Sequence, residues 1–431
     1  MYIGVDLGTT ACKAALYAVD GQVLAEFNRE YPLIKQQGRV EQDASLWWLI
    51  VREAIASVAD GYSKSVQAIS VSTQGISFVP VDHAGNPLYN AISWLDLRGE
   101  QELSQLALRF SDDDIYRKTG KHLNGAYSLP KLMWFKNHHP DLYERTDRIS
   151  MPLDFLNQKL CGLAVTDYTM AGGTMLYDLH NKVWDEELLD FARLDRSKMP
   201  EVQCMGAQLG PILPEAASEL GLSAKTQIIL GGQDQKLAAI GAGIREGFCT
   251  VSLGTSAAVT ELTSIFDPLS DKPQFRLNDT HFVKESAVSV SGAALKWLSH
   301  ILGDIPYREM DELAEKTPNG SGSVLFNPAF LENASVNGIT LSTTRGEIIY
   351  ALYEGIAREI KRCVSDTVPE IKVFGGGAKS QIWCKILARI LQRDLEILDT
   401  TETACLGAAI IASGYALPDA NTIIRLTGKE E

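Results

Sequence analysis

Three short stretches hold residue types that could move a phosphoryl group. The first is Asp6-Leu7-Gly8-Thr9-Thr10, with Lys13 close behind. A turn with a glycine, hydroxyls and backbone N–H groups forms a concavity that suits a phosphate. Asp6 adds a carboxylate, and hard cations such as Mg²⁺ take carboxylate oxygens and travel with substrate phosphates. Asp6 is therefore a candidate Mg²⁺ ligand, with Thr9, Thr10 and Lys13 as candidate phosphate contacts. The same residues also read as plain hairpin chemistry, the carboxylate satisfying turn N–H groups. An echo follows at Thr250-Val251-Ser252-Leu253-Gly254-Thr255-Ser256. Ser252 stands there in the place of Asp6, so Gly254 and Thr255 would grip phosphate without holding a metal.

The second stretch is Gly231-Gly232-Gln233-Asp234-Gln235. A carboxylate at a strand end, on a glycine turn that admits another molecule, can accept a hydroxyl proton. The competing reading is a helix cap. Phosphoryl transfer runs largely on positioning and charge stabilisation, so a weak base suffices. The third is Phe374-Gly375-Gly376-Gly377-Ala378-Lys379-Ser380, a strand, a glycine turn and a helix start. Glycine lets a planar ring lie on the backbone, and the helix start offers N–H groups; an ordinary β–α turn has the same pattern. No G-x-x-x-x-G-K-[ST] occurs, no early dinucleotide fingerprint stands in for it, and histidines at metal spacing are missing. Trp47, Trp48, Trp134 and Trp297 fall in helical apolar patterns and are expected in the core.

These residues need elements to position them. The start of the chain reads β-β-β-α-β: Asp20-Gly21 turns a hairpin, and Asp43 caps a helix that runs to residue 57. Strands are expected at 66–71, 76–81 and 228–230, with a helix at 236–242. The stretch 112–213, broken by Pro and Gly, reads as less regular. The second half repeats the theme, with strands near 249–252, 287–290, 373–374 and 395–398 and helices at 346–364, 380–391 and 404–413. Strands alternating with helices in both halves predict two α/β domains, 1–244 and 245–431.

Composition narrows the partners. The 431 residues suffice for two domains with sizeable cores, and 45% hydrophobic with 22% charged residues is ordinary for a globular chain. Forty basic against fifty-four acidic residues give a net charge of −14, which argues against nucleic-acid or anionic-membrane surfaces. The seven cysteines are scattered without C-x-x-C, so neither a disulfide framework nor a zinc site is expected. The first strand begins at Tyr2 and no apolar run reaches membrane length, so a cytoplasmic protein is expected.

Taken in order from Tyr2 to about Ser413, the pieces resemble the FGGY carbohydrate kinases, nearest the xylulokinase and gluconate kinase branches. Asp6 to Lys13 resembles their first phosphate motif, Ser252 to Ser256 their second, and Gly375-Gly376-Gly377 with Ser380 and Trp383 their adenosine motif. Gly231 to Gln235 resembles the segment with their catalytic Asp. Trp94-x-Asp96-x-Arg98, Thr119-Gly120, Pro130-Lys131-Leu132-x-Trp134, Thr166-Asp167 and Gly173-Thr174-Met175 point to the two named branches. The resemblance implies an actin-like ATPase fold, two ribonuclease H-like domains facing a central cleft and closing on ATP, Mg²⁺ and a sugar. Asp234 would then deprotonate the attacking hydroxyl, and Asp6 would position Mg²⁺. Thr9, Thr10, Lys13, Gly254 and Thr255 would hold phosphates, while Gly376, Gly377 and Ser380 would border adenosine. Gln74, Trp94, Asp96 and Gln235 would contact or line the sugar site. The partner implied is a small sugar, polyol or sugar acid, with no nucleic acid or membrane and with a homodimer left open.

Three departures stand out. Gly75-Ile76 replaces the Met-His that xylulokinases carry after this glutamine. The Gly-Glu-Arg-x-Pro stretch after 325–330 is missing, Leu331-Glu332-Asn333-Ala334 running straight on. The tail beyond the small-residue helix is short, and Arg389 replaces a usual Asp. The expected activity is ATP-dependent phosphorylation of a ketose such as xylulose or a related sugar acid or polyol. The competing expectation is a catalytically weak, nucleotide-responsive binding protein on the same fold.

Overall fold

The computed structural model describes residues 1–330, 332–400 and 402–428. They form two compact units. Unit 1 is Met1–Gly241 with the later segments Ser264–Val283 and Ala404–Asp419; unit 2 is Ala242–Thr263, Lys284–Thr403 and the chain from Ala420 onward.

Unit 1 is built on a six-stranded sheet. Its strands are β1 (Tyr2–Leu7), β2 (Ala11–Tyr17), β3 (Val23–Glu30), β4 (Ala68–Thr73), β5 (Gln208–Pro211) and β6 (Gln227–Gln233), in the order β5-β6-β4-β1-β2-β3. β1 and β2 form an antiparallel hairpin with Asp6 opposite Lys13. β4 runs parallel to both β1 and β6 and is buried along its whole length, as expected of a strand covered on both faces. Helix α1 (Ala44–Ala59) packs on the hairpin. Asp43 caps it by accepting from Ser45 N, and Trp47, Ile50, Val51, Ala54, Ile55 and Val58 form its buried stripe. Each large apolar side chain buried this way contributes about 1.5–3 kcal/mol. The helix Thr403–Ala412 returns to this unit through small residues. A Cβ on Gly4 would stand 1.8 Å from the Cys405 carbonyl oxygen, and one on Gly407 1.8 Å from that of Leu237. Only glycine allows so close a backbone approach.

Unit 2 repeats the plan. Its strands β7 (Phe248–Leu253), β8 (Ala257–Thr263), β9 (Phe282–Val288), β10 (Glu370–Phe374), β11 (Asp394–Leu398) and β12 (Thr422–Leu426) lie in the consecutive order β9-β8-β7-β10-β11-β12. A hairpin β7–β8 again sits beside parallel strands β10 and β11. Helices α3 (Gly292–Ile301), α4 (Arg345–Cys363) and α5 (Gln381–Leu391) follow, with α2 (Asp234–Gly241) the last helix of the first stretch of unit 1. The hairpin-plus-parallel-strand layout in each unit is the ribonuclease H-like arrangement that the sequence resemblance implied.

Three expectations are corrected. The stretch 112–213 is more regular than expected, with several short helices, among them Asp112–Thr119, Ser128–His138, Pro140–Arg145 and Pro152–Cys161. Pro140 and Pro152, read as breaks, sit in the first turn of helices, where the missing N–H costs nothing. The strand expected at 76–81 begins only at Val79, because Ile76 has φ +67°, a left-handed conformation that a β-branched residue seldom adopts. Trp297 is not core: it is 42% exposed and meets the Phe326 and Phe330 rings edge-on. Arg389, which replaces a usual Asp, bonds Glu354 at 2.5 Å, joining α5 to α4. Of the shortened loop, Leu331 lies outside the described residues. Beside that loop a cavity of about 460 Å³ is lined by Val288, Asn327, Phe330, Glu332 and Arg362. It shares no residue with either glycine turn, and the chemistry below does not use it. Among the described residues no helix is long and apolar enough to cross a membrane.

Candidate active site

In unit 1 the strand register does the gathering. Asp6 pairs with Ser72, and Ser72 with Gly232; Leu7 pairs with Thr73, and Thr73 with Gln233. The parallel strands β1, β4 and β6 therefore end level, and the residues that follow them, Gly8 to Thr10, Gln74 and Asp234, share one edge. Carboxyl ends of parallel strands are the usual ligand side of an open α/β sheet. Ser72 Oγ donates to Asp6 Oδ1 at 2.7 Å. Asp234 opens helix α2, is partly buried, and its Oδ1 accepts from Gln235 N at 2.7 Å. A helix start favours a negatively charged side chain at this position.

The first glycine turn is tied into its surroundings. Gly8 N donates to Ala11 O at 3.0 Å and Tyr31 N to Thr10 O at 2.9 Å, while the Tyr31 hydroxyl donates to Gly8 O. Burial pushes the Tyr31 hydroxyl far above its ordinary pKa, so it stays a donor. Gln42 Nε2 donates to Thr9 O at 2.7 Å, and Gln74 Nε2 to Gln42 Oε1 at 2.7 Å. The Trp94 indole N–H donates to Thr9 Oγ1 at 2.8 Å, with its ring 40% exposed. An exposed aromatic face held by a phosphate turn can carry the apolar face of a sugar.

Asp96, expected at the sugar site, is instead 0% exposed. Its oxygens accept from Arg98 Nε and Nη2 at 2.7 Å, Arg98 N at 2.9 Å and Val40 N at 2.6 Å. Burial pushes its pKa up, and the bonds from Arg98 and Val40 outweigh that and hold it below the usual carboxylate range. Asp96 thus stiffens the Trp94 loop rather than opening to solvent. Lys131, also 0% exposed, supports the same loop by donating to Ser93 O at 2.9 Å, and burial lowers its pKa to about 7. Behind β6, Thr169 Oγ1 accepts from Gln233 N at 2.9 Å and donates to Asp167 at 2.8 Å. Burial raises the Asp167 pKa to about 6.

In unit 2 backbone hydrogen bonds hold the second turn. Gly254 N donates to Ser256 O at 3.0 Å, and the start of α3 donates back through Ser291 N to Thr255 O and Gly292 N to Gly254 O, at 3.0 and 2.9 Å. Thr255 is exposed. Ser252 pairs with Phe374, which brings the glycine turn 375–377 alongside. Gly375 has φ +97°, and a Cβ on Gly377 would stand 2.5 Å from the Trp383 ring. Gly376 has open space around it and is exposed. Ser380 caps α5 by accepting from Trp383 N at 3.2 Å and donates to Asp311 at 2.7 Å.

Unit 1 therefore collects Asp6, Thr9, Thr10, Lys13, Gln74, Trp94, Asp234 and Gln235, with Asp96 beneath them. Unit 2 collects Gly254, Thr255, Gly376, Gly377 and Ser380. Sequence reading missed Tyr31, Gln42, Ser72, Thr169 and Gln233. Four of them meet the site only across strands distant in the chain; Gln233 alone had a signal, its place beside Asp234. The donors at the first turn are carboxylate and hydroxyl oxygens, the hard set Mg²⁺ takes. Among the described residues no cluster of three or more His, Cys, Asp or Glu could hold a metal.

Known proteins align with both units. The profile of the FGGY family of carbohydrate kinases, N-terminal domain, matches residues 1–241, and that of its C-terminal domain matches residues 249–416. A xylulose kinase of Bacillus subtilis (strain 168) is 28% identical over 95% of this chain and 87% of its own length. A gluconokinase of Bacillus licheniformis is 26% identical over 95% of this chain and 86% of its own. The crystal structure of gluconate kinase from Lactobacillus acidophilus superposes with a TM-score of 0.90 and 26% identity, covering 99% of this chain and 93% of that one.

Proposed function

The chain belongs to the FGGY family of carbohydrate kinases, and from that premise we propose that it transfers the γ-phosphoryl group of ATP to a hydroxyl of a small ketose, polyol or sugar acid. The observation that carries this reading is the shared edge of β1, β4 and β6. It brings a glycine turn and the carboxylates of Asp6 and Asp234 to the ends of neighbouring strands, which supports the reading.

Asp234 takes the proton of the attacking hydroxyl from the start of α2. It has only to be ionised and in place, since the transition state is loose and demands little basicity. Thr9, Thr10 and Lys13 receive the terminal phosphates at the first turn, and Gly254 and Thr255 offer unit 2's own phosphate turn. Gly376 and Gly377 present bare backbone to the adenosine, with Ser380 fixing the following helix. Asp6 would hold Mg²⁺, which when bound neutralises developing charge on the phosphate oxygens. Trp94 and Gln235 line the sugar side, while Gln74, expected there but 1% exposed, acts through Gln42 on the first turn and Asp96 through the loop that carries Trp94.

A coupled ADP-release screen across ketoses, polyols and aldonates tests the reading. Sugar-dependent turnover with at least one compound is expected. ATP binding without turnover on any of them would overturn the kinase reading in favour of a nucleotide-responsive binding protein.

A further inference from the structure

Asp234 follows an irregularity in the strand that leads to it. Ile229 pairs with Ser70 and Gly232 with Ser72, so Leu230 and Gly231 stand opposite Val71 alone. Such a bulge re-aims the residues beside it and disrupts the ladder that would hold them. A Cβ at Gly231 would stand 1.9 Å from the Val71 carbonyl oxygen, so the two backbones touch where the register slips. A further tie on the strand end beyond the bulge comes from a distant part of unit 1.

That part is Asp167-Tyr168-Thr169, at the start of the short helix Tyr168–Gly172. Gln233 N donates to Thr169 Oγ1 at 2.9 Å. The hydroxyl has one proton of its own, and it goes to Asp167, at 2.8 Å to Oδ2 and 3.0 Å to Oδ1. Asp167 also accepts from Thr169 N at 2.9 Å and Met170 N at 3.0 Å, which fixes the carboxylate and with it the direction of the hydroxyl. A Cβ at Gly232 would stand 3.0 Å from both Asp167 Oδ2 and Thr169 Oγ1, so the glycine lets the pair reach the strand backbone. Burial raises the Asp167 pKa to about 6, and the bonds from Thr169 and Met170 and the charge of Lys236 oppose that rise. Lys236, itself 0% exposed, lies two positions beyond Asp234 on α2. Asp234 thus stands between two residues that lead to one buried carboxylate, Gln233 through a hydrogen bond and Lys236 through its charge. Asp167 and Thr169 are each 0% exposed, so neither touches a substrate and any effect on the reaction passes through their neighbours.

We propose that Asp167, acting through Thr169, is a positioning residue for Asp234: it fixes the backbone one residue before the base and so the direction in which the base meets the attacking hydroxyl. The inference rests on the proposed kinase reading, in which Asp234 is that base. A misplacement of about 1 Å at a reacting group costs about 10²-fold in rate. Binding of ATP and sugar does not depend on where the Asp234 oxygens point, so the loss falls on kcat and leaves KM.

The test combines steady-state kinetics of the full chain, on the best substrate of the ADP-release screen, with hydrogen exchange of the segment 231–236 read by mass spectrometry. Thr169→Val keeps the shape and deletes the hydroxyl. Its kcat is expected to fall about 10- to 100-fold, with both KM values within about threefold of the wild type. Exchange at 231–236 should speed at least about fivefold, the worth of one hydrogen bond, while β1 and β4 stay protected. Thr169→Ser keeps the hydroxyl and should hold kcat within about threefold of the wild type. In the Asp234→Asn background Thr169→Val should add less than about twofold, because its effect passes through the missing base. Asp167→Asn keeps the volume and loses one acceptor oxygen; kcat should fall about three- to tenfold, and this variant carries the test if melting shows that Thr169→Val does not fold. Wild-type kcat in both Thr169→Val and Asp167→Asn, a rise in KM at unchanged kcat, full multiplicative losses with Asp234→Asn, a serine variant as slow as the valine variant, or unchanged exchange would each overturn the inference. Faster exchange in the expected pattern, from a wild type that releases no ADP with any sugar, would fail the kinase reading alone. Sugar-dependent turnover without the expected losses would fail the inference alone.

Discussion

The two glycine turns share a layout and differ in what holds them. In unit 1 the turn 8–10 is gripped by side chains: Tyr31 on Gly8, Gln42 and Trp94 on Thr9, and Ser72 on the adjoining Asp6. In unit 2 the turn 254–256 is gripped by the N–H groups that open α3. Side-chain ties carry information between parts of a site, because Gln42 joins Thr9 to Gln74 and Trp94 joins Thr9 to the proposed sugar side. Backbone ties carry only shape. On the proposed reading, the first turn couples phosphate and sugar, while the second is a generic phosphate seat.

That contrast can be broken by substitution. Asp6→Ala removes the carboxylate that has no counterpart in unit 2, and should lower kcat by about 10²–10³ in steady-state assays, the scale of losing one electrostatic stabiliser. Thr255→Ala at the second turn should cost far less, raising the KM for ATP about two- to tenfold, the worth of one hydrogen bond. Equal losses at the two positions would erase the distinction. Trp94→Phe keeps the ring and deletes the indole donor to Thr9; a roughly fivefold rise in sugar KM is expected, and an effect on ATP KM alone would contradict the coupling. The smallest effect concerns pH. Folded Lys131 loses its proton above about pH 7, whereas an unfolded lysine keeps its own to about pH 10.4. The unfolded chain binds more protons in that window, so this group makes stability rise with pH from about 7 to about 10. Denaturant titrations should show that rise in the wild type and a flatter profile in Lys131→Met.

Much of the first turn was legible in the sequence because its chemistry is local. Asp6, Gly8, Thr9 and Thr10 are consecutive or nearly so, and Asp43 announced its helix cap. The echo at 254–256 and the α/β alternation were legible for the same reason. What stayed hidden depends on register. Gln42 reaches Thr9 and Gln74 across 32 or 33 positions, and nothing in its neighbours marks it. Asp96 looked like a ligand because its motif says nothing of Arg98 and Val40 closing over it. Trp297 matched a core helix by periodicity, yet is 42% exposed and meets the Phe326 and Phe330 rings edge-on. The prolines of 112–213 read as breaks because a proline that starts a helix and one that ends it look alike without the partner strand.

The central claim is that Asp234 serves as the base of a sugar phosphorylation. Its most direct test follows the product by ³¹P NMR for the wild type and Asp234→Asn, with ATP and sugar affinities measured alongside. A phosphomonoester from the wild type is predicted, with the variant slowed by about 10²–10⁴ and both affinities kept within about threefold. A variant that retains more than about a tenth of the rate, or a wild type that releases ADP without any phosphorylated sugar, would contradict it.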